Sequence, residues 1–351
     1  METSQPKDSP RSVALEQHAG PVAIRTMQNT SFDVSVLVLF YNHAAFVTST
    51  LDSIGSQTGV HLHLIIADDG STDVTRGLIK DWVAANPGVH CDLVFVDKNI
   101  GLVAIFSRAL QNVKGRYFVQ FGGDDLMLGR KLQKQMAVLD ANQSATAVYH
   151  EARAFDSESG ETLYFYATKR PYRCRLPVLR YHHFLETGRV LPQTLMYRSN
   201  RIAPTHVDSR AGVAFDIIFT MESTKGGDIL PLQEVLVDYR KHLGSITASR
   251  GFSDGIHNML QLLYVLAAER FPEISPRIAC HQISSSTLIL LQRLRSPVAA
   301  GIGLCNRQST CDLFKWNPVL VLYYILVHTS RFIWRSVRGR SLHCKHIYKN
   351  S

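Results

Sequence analysis

Two pairs of adjacent aspartates, Asp68-Asp69 in "LIIADDGSTD" and Asp124-Asp125 in "VQFGGDDLML", each close a short apolar run. Like charges a few ångströms apart repel one another. Such a pair at the mouth of a core therefore reads either as a solvated turn, which Asp, Gly, Ser and Thr favour in their own right, or as a divalent cation held against a phosphorylated ligand. Mg²⁺ and Mn²⁺ take hard oxygen ligands, so the residue types suit the second chemistry. Glycine-rich phosphate loops are missing: neither G-x-G-x-x-G nor G-x-x-x-x-G-K-[ST] follows the first apolar run, "SVLVLF". That absence also counts against a nucleotidyltransferase. "DDGSTD" lacks the spacing and the closing Glu of a calcium loop, which removes that reading.

The runs that carry these residues read as strands, and each is followed by a stretch with helical spacing. "DVSVLVLF" ends at Tyr41-Asn42 ahead of "AAFVTSTLDSIGSQ"; "HLHLIIA" ends at Asp68-Asp69 ahead of "VTRGLIKDWVAA", with Asp73 placed to cap it. "CDLVFV" passes through "DKNIG" into "LVAIFSRALQNV", and "RYFVQF" passes through Gly122-Gly123-Asp124-Asp125 into "RKLQKQMAVLD". Repeated strand and helix alternation predicts an α/β layer with a mostly parallel, Rossmann-like sheet and helices on both faces. Ligands of such sheets bind beyond the carboxyl ends of the strands. Asn42, Asp68, Asp69, Asn99, Asp124 and Asp125 all fall there and converge on one crevice. Farther on, "ATAVYHEARAFD" reads as a strand or hairpin, "DIIFTMESTKGG" as a helix closed by glycine, and "DILPLQEVLVDYRKH" as two strands joined at a proline-marked turn.

Size and composition bound the rest. At 351 residues and 45% hydrophobic content the chain can bury a sizeable core. The net charge of +9 suits an anionic substrate, nucleic acid or an acidic membrane surface without choosing among them. Six cysteines lack paired C-x-x-C spacing, which points to reduced thiols in a cytoplasmic protein. Residues 1–30 read as a flexible leader, 31–250 as the α/β domain, and 251–351 as a helical C-terminal region. "NPVLVLYYILVHTSRFIW" is interrupted by His328 and Arg331, short of the roughly 18 to 20 residues needed to span a bilayer. The basic tail from Arg331 to Ser351 reads either as a solvated helix or as a peripheral contact with anionic lipid on the inner face of the membrane. Tyr164, Phe165 and Tyr166 are assigned to core packing in preference to stacking on acceptor sugars.

"VSVLVLFYNHAAFVTSTLDSIGSQT", "LIIADDGSTD", "NIG", "KGRYFVQFGGDD" and "VLVDYRKHLGSIT", in that order and spacing, resemble a glycosyltransferase family 2 enzyme with the GT-A fold, over Val34 to Thr247. The resemblance implies an inverting sugar transfer from a nucleotide-diphosphate donor, a uridine one favoured, in cell-surface polysaccharide or glycolipid synthesis. It implies Mn²⁺ or Mg²⁺ as cofactor, a glycan or lipid-linked acceptor, and no nucleic acid partner. Phe40, Tyr41, Asn42, Asp68, Asp69, Asn99 and Gly101 would form the nucleotide pocket, with Asp69 accepting a hydrogen bond from the base. Asp124, Asp125 and His242 would hold the metal, and Arg240 would contact the diphosphate. Asp216 would be the catalytic base. Leu39 stands where the family usually has proline, and Gly122 replaces the first Asp of its Asp-x-Asp element. Val213-Ala214 stand where acidic residues are expected. These departures support the alternative of a catalytically impaired nucleotide-sugar-binding or scaffold protein.

Overall fold

A computed structural model describes residues 32–168, 176–187, 190–245 and 262–274. Its centre is β1 (Val34–Phe40), flanked in parallel by β2 (Leu62–Asp68) and β4 (Tyr117–Gly122), with β3 (His90–Phe95) outside β2. β1 is almost wholly buried, as expected of a β-branched strand covered on both faces. Its Val34, Val36, Val38 and Phe40 face one apolar cluster and Leu37 the other, so side-chain alternation splits the core into two layers.

α1 (Val47–Gly55), α2 (Thr75–Ala85) and α4 (Lys131–Ala141) contribute to the first layer. α1 does so through Val47, Thr50, Leu51 and Ile54, an i, i+3, i+4, i+7 stripe. The second layer is built from α3 (Leu102–Leu110) and α6 (Phe215–Thr224), whose Phe106 and Phe219 meet Phe118 of β4 edge-on, with Phe215 tilted against Phe106. Truncating the fully buried Phe118 to Ala would cost about 3–5 kcal/mol. Residues 262–270 add a helix whose Leu263, Tyr264, Leu266 and Ala267 join this layer.

Beyond β4 the sheet departs from simple alternation. The order is β3-β2-β1-β4-β8-β6-β9-β5, with β7 paired to β6. The short β8 (Met196–Arg198) is antiparallel to both β4 and β6 (Ala147–Asp156), so β6 again runs parallel to β4. β7 (Thr162–Phe165) and β5 (Leu126–Met127) add antiparallel edges, and α5 (His183–Thr187) is a short helix before β8. The result is a mixed α/β sheet, mostly parallel at its centre.

One expectation is corrected. "DILPLQEVLVDYRK" is not two strands with a turn at the proline; Ile229–Lys241 is the single strand β9, parallel to β6. Pro231 sits opposite Tyr149, ahead of register shifts that pass from His150↔Leu232 to Glu151↔Val235 and Ala152↔Val237. β5 covers β9 only at Val237 and Asp238, so the proline lies where the strand has β6 on one side and no β5 on the other. A residue without an N–H is tolerated at such an edge or bulge. The flexible leader, the boundary near residue 250, the basic tail and most of the C-terminal helices lie outside the described residues.

Candidate active site

The ends of β1, β2 and the β3–α3 connection are tied together by side chains bonded to backbone. Asn42 takes a left-handed φ of 53°, a conformation Asn reaches more readily than most residues. From there its Oδ1 accepts from the Thr72 N–H at 2.8 Å while its own N–H donates to Ser71 Oγ at 2.9 Å. Asp73 accepts from the N–H groups of Thr75 and Ala44, so it caps the start of α2 and also holds the β1 loop. Asp69 is buried, and its two oxygens accept from the N–H groups of Ile100 at 2.8 Å and Gly101 at 3.0 Å. Gly70 makes that approach possible: a Cβ there would lie 2.5 Å from Asn99 N.

Asp68 has a different use. It is fully buried, and its carboxylate takes a forked pair of bonds from Arg76 Nε and Nη2 and two more from Ser71. Arg76 also donates to the Val96 carbonyl and lies over the Phe95 ring, so Asp68 anchors β3 through it. Phe40 is 2% exposed and packs in the core, Tyr41 is 44% exposed, and Asn99 is exposed at the crevice rim.

The second aspartate pair joins the turn after β4 to the end of β9. Asp125 is 1% exposed; its Oδ1 accepts from the Arg240 N–H at 2.9 Å and its Oδ2 from Gln193 Nε2 at 2.6 Å. Burial, then the neighbouring Asp124, push its carboxyl well above the usual carboxylate range. Arg240 Nε returns a bond to the Asp124 carbonyl at 2.7 Å, and its guanidinium lies 5.0 Å from both the Phe46 and Phe155 rings. Two residues on, His242 Nε2 donates to Asp124 Oδ2 at 3.0 Å, its ring tilted against Phe46. A Cβ on Gly122 would lie 2.9 Å from Asp124 Oδ1 and 3.0 Å from Asp125 Oδ2. Glycine in place of the family's first Asp therefore leaves room for two carboxylate oxygens to share one side of the turn.

Among the described residues no group of three or more His, Cys, Asp or Glu side chains is arranged to hold a metal ion. What the crevice offers is one carboxylate, Asp124, and one imidazole, His242. That donor set still fits Mg²⁺ or Mn²⁺, which are commonly held by one or two carboxylates with water and substrate phosphate completing the shell. Asp125 has both oxygens engaged inside the protein, so its position is that of a support.

Asp216 opens α6, partly buried. Burial pushes its carboxyl up to about 6, against bonds from its own and the Ile217 N–H groups. That value lies in the range that suits a general base near neutral pH. Burial, then Tyr239 and Tyr164, and last the Asp216 carboxylate raise the pKa of Tyr166, which packs edge-on against Tyr239 of β9 at 6.1 Å.

Two residues of this region carry no readable signal in the sequence. Gln193, in the 3₁₀ turn Pro192–Thr194, is one. His43, beside Asn42, is the other: its ring is edge-on to His242 at 6.5 Å, its Nδ1 is buried without a partner, and burial lowers its pKa although Asp124 opposes this. A cleft of about 350 Å³ lined by Phe32, Gln57, His61 and His90 lies at the opposite, amino-terminal ends of the strands, away from this chemistry.

A family model described as Glycosyl transferase family 2 matches residues 35–198. An uncharacterised protein of Mycobacterium tuberculosis is 28% identical over 216 residues, 61% of this chain and 60% of that protein, so the chain spans about 60% of that relative's length. The putative teichuronic acid biosynthesis glycosyltransferase TuaG of Bacillus subtilis is 32% identical over 103 residues, 29% of this chain and 40% of TuaG. Among solved structures, residues 1–349 of S. aureus TarS in complex with UDP-GlcNAc superpose with a TM-score of 0.57 at 16% identity, covering 72% of this chain and 73% of that one. At that identity the likeness is one of fold.

Proposed function

We propose that the chain, whose residues 35–198 match a model of glycosyltransferase family 2, moves a sugar from a nucleotide-diphosphate donor, with uridine the favoured base, to a glycan or lipid-linked acceptor. The observation that carries this reading is the meeting of Asp124 and His242, from the ends of β4 and β9, on the carboxyl side of the parallel strands. Asp124 and His242 are the residues that would hold a divalent cation. Once bound, it would offset the charge that develops on the departing diphosphate. The loop fixed by Asp69, with Asn42, Asn99 and Gly101, forms the nucleotide side.

Asp216 takes the proton of the acceptor hydroxyl as that oxygen bonds to the anomeric carbon and the bond from that carbon to the diphosphate breaks on the opposite face, which inverts the centre. Its folded pKa of about 6 keeps it ionised at neutral pH. Arg240, held between two phenyl rings, adds positive charge beside the leaving group. TuaG, described as a teichuronic acid biosynthesis enzyme, supports a cell-surface polysaccharide or glycolipid as the acceptor. Placement in the cytoplasm, against the anionic inner face of the membrane, belongs to the same proposal and rests on the basic tail.

A panel of nucleotide sugars in thermal-shift measurements, with and without Mn²⁺, tests the reading. Ligand at a hundred times its Kd adds about 2.7 kcal/mol, which raises Tm by several degrees. The expected result is stabilisation by a uridine donor that increases with Mn²⁺. No shift with any nucleotide sugar, with or without metal, would reject it, and binding without turnover would favour the catalytically impaired alternative.

A further inference from the structure

Resting on that reading of the crevice, we propose that Gln193 is a positioning residue of the Asp124–His242 site, acting through Asp125. Three chain segments meet at the Asp125 carboxylate: the turn after β4, the end of β9, and the 3₁₀ turn that carries Gln193. A buried carboxylate is costly without donors, and here Arg240 N–H and the Gln193 amide supply one to each oxygen. The Asp125 carbonyl is fixed as well, by Thr50 Oγ1 at 3.0 Å.

Gln193 is itself held in place. It is 9% exposed, and the carbonyl of its neighbour Thr194 accepts from Gln135 Nε2 at 2.8 Å. Gln135 in turn accepts from the buried Lys131 Nζ at 2.8 Å. The amide is therefore presented to Asp125 from a braced turn, and Asp125 holds the segment on which Asp124 sits. Arg240 closes the circuit: its N–H is bonded to Asp125, its side chain to the Asp124 carbonyl, and His242 follows it by two residues. Without the Gln193 donor, Asp125 Oδ2 is left buried and unmatched. The turn must then move toward water, and Asp124 moves with it.

The test uses the full chain with Gln193→Glu and with the exchange Asp125→Asn/Gln193→Glu. The single change removes the amide donor and sets a second acidic group against Asp125 Oδ2. In the double variant the introduced Asn amide donates to the introduced Glu carboxylate while its carbonyl still accepts from the Arg240 N–H, so the circuit is restored with the roles reversed. Mn²⁺ binding with saturating UDP is read directly by electron paramagnetic resonance, with Tm measured alongside. Gln193→Glu is expected to weaken Mn²⁺ binding by about 10–100-fold, the usual loss for a group that orients a metal ligand, and the double variant to recover most of it.

Mn²⁺ affinity at the wild-type level in a cooperatively melting Gln193→Glu would overturn the proposal, as would equal weakness of the single and double variants. If Gln193→Glu does not fold, Gln193→Ala is held to the same direct measurement and criterion. Should the wild type bind no Mn²⁺ with UDP, the functional reading fails, and crystal structures of these variants decide the positioning claim by themselves. It requires the 3.0 Å Asp124–His242 contact to open beyond about 3.5 Å in the single variant and close again in the double; an unchanged contact throughout contradicts it.

Discussion

Asp68-Asp69 and Asp124-Asp125 are the same dipeptide at the ends of two strands that flank β1, yet the protein uses them in opposite order. In the first pair the leading residue is the support: Asp68 is fully buried under Arg76 and Ser71. Asp69, the second, is buried too, but its two oxygens hold the β3–α3 loop at Ile100 and Gly101. In the second pair the trailing residue is the support, since Asp125 is buried between Arg240 and Gln193, and Asp124 is the one left facing His242. A pair of adjacent carboxylates is thus neither a solvated turn nor two equivalent ligands. In the first pair the two carboxylates brace different segments, and in the second Asp125 is spent on holding the turn that presents Asp124.

Substitutions that separate the two roles test this division. The largest expected effect is on turnover: Asp124→Ala should lower kcat on the order of 10²–10³-fold, as when one electrostatic stabiliser of developing charge is removed, with Tm close to wild type. Steady-state rates and a melting curve on the same sample check it. A somewhat smaller effect, on stability, is expected for Asp68→Ala. Breaking a fully buried ion pair costs about 3–5 kcal/mol, and because Arg76 is 27% exposed and can turn to solvent, about 2–3 kcal/mol is expected in urea unfolding. If Asp124→Ala unfolds the protein while Asp68→Ala leaves it stable, the division is wrong.

Much of this frame was legible in the chain. The four apolar runs from β1 to β4 and the helices between them follow from periodicity, and the polar residues at their ends mark the crevice by position alone. Asp73 reads as a cap because Asp before a helical stripe has a local job. What periodicity does not show is which carboxylate is spent. That depends on Arg76 eight residues from Asp68, but on Gln193 and Arg240, 68 and 115 residues from Asp125. Pro231 suggested a turn through its missing N–H, whereas the long pairing with β6, with β5 reaching β9 only at Val237 and Asp238, let it remain within a strand. β8 was unreadable for another reason: three residues, Met196–Arg198, are too few to show any period.

Asp216 is the base of the proposed transfer, and its raised pKa sets two opposite pH dependences. Between about pH 4 and 6 the folded state holds a proton that the unfolded state releases, since the carboxyl moves from 3.8 to about 6 on folding. Its contribution to stability therefore falls as pH rises through that window. As the proposed base it becomes competent over the same window, so activity is expected to rise while stability falls. The measurement that tests the account most directly is the pH profile of kcat/KM for sugar transfer or donor hydrolysis, comparing wild type with Asp216→Asn. The account predicts an acid limb centred near pH 6 in the wild type, and in the variant a rate lower by about 10²–10⁴-fold with that limb gone. An Asp216→Asn protein that keeps both the rate and the limb would contradict it.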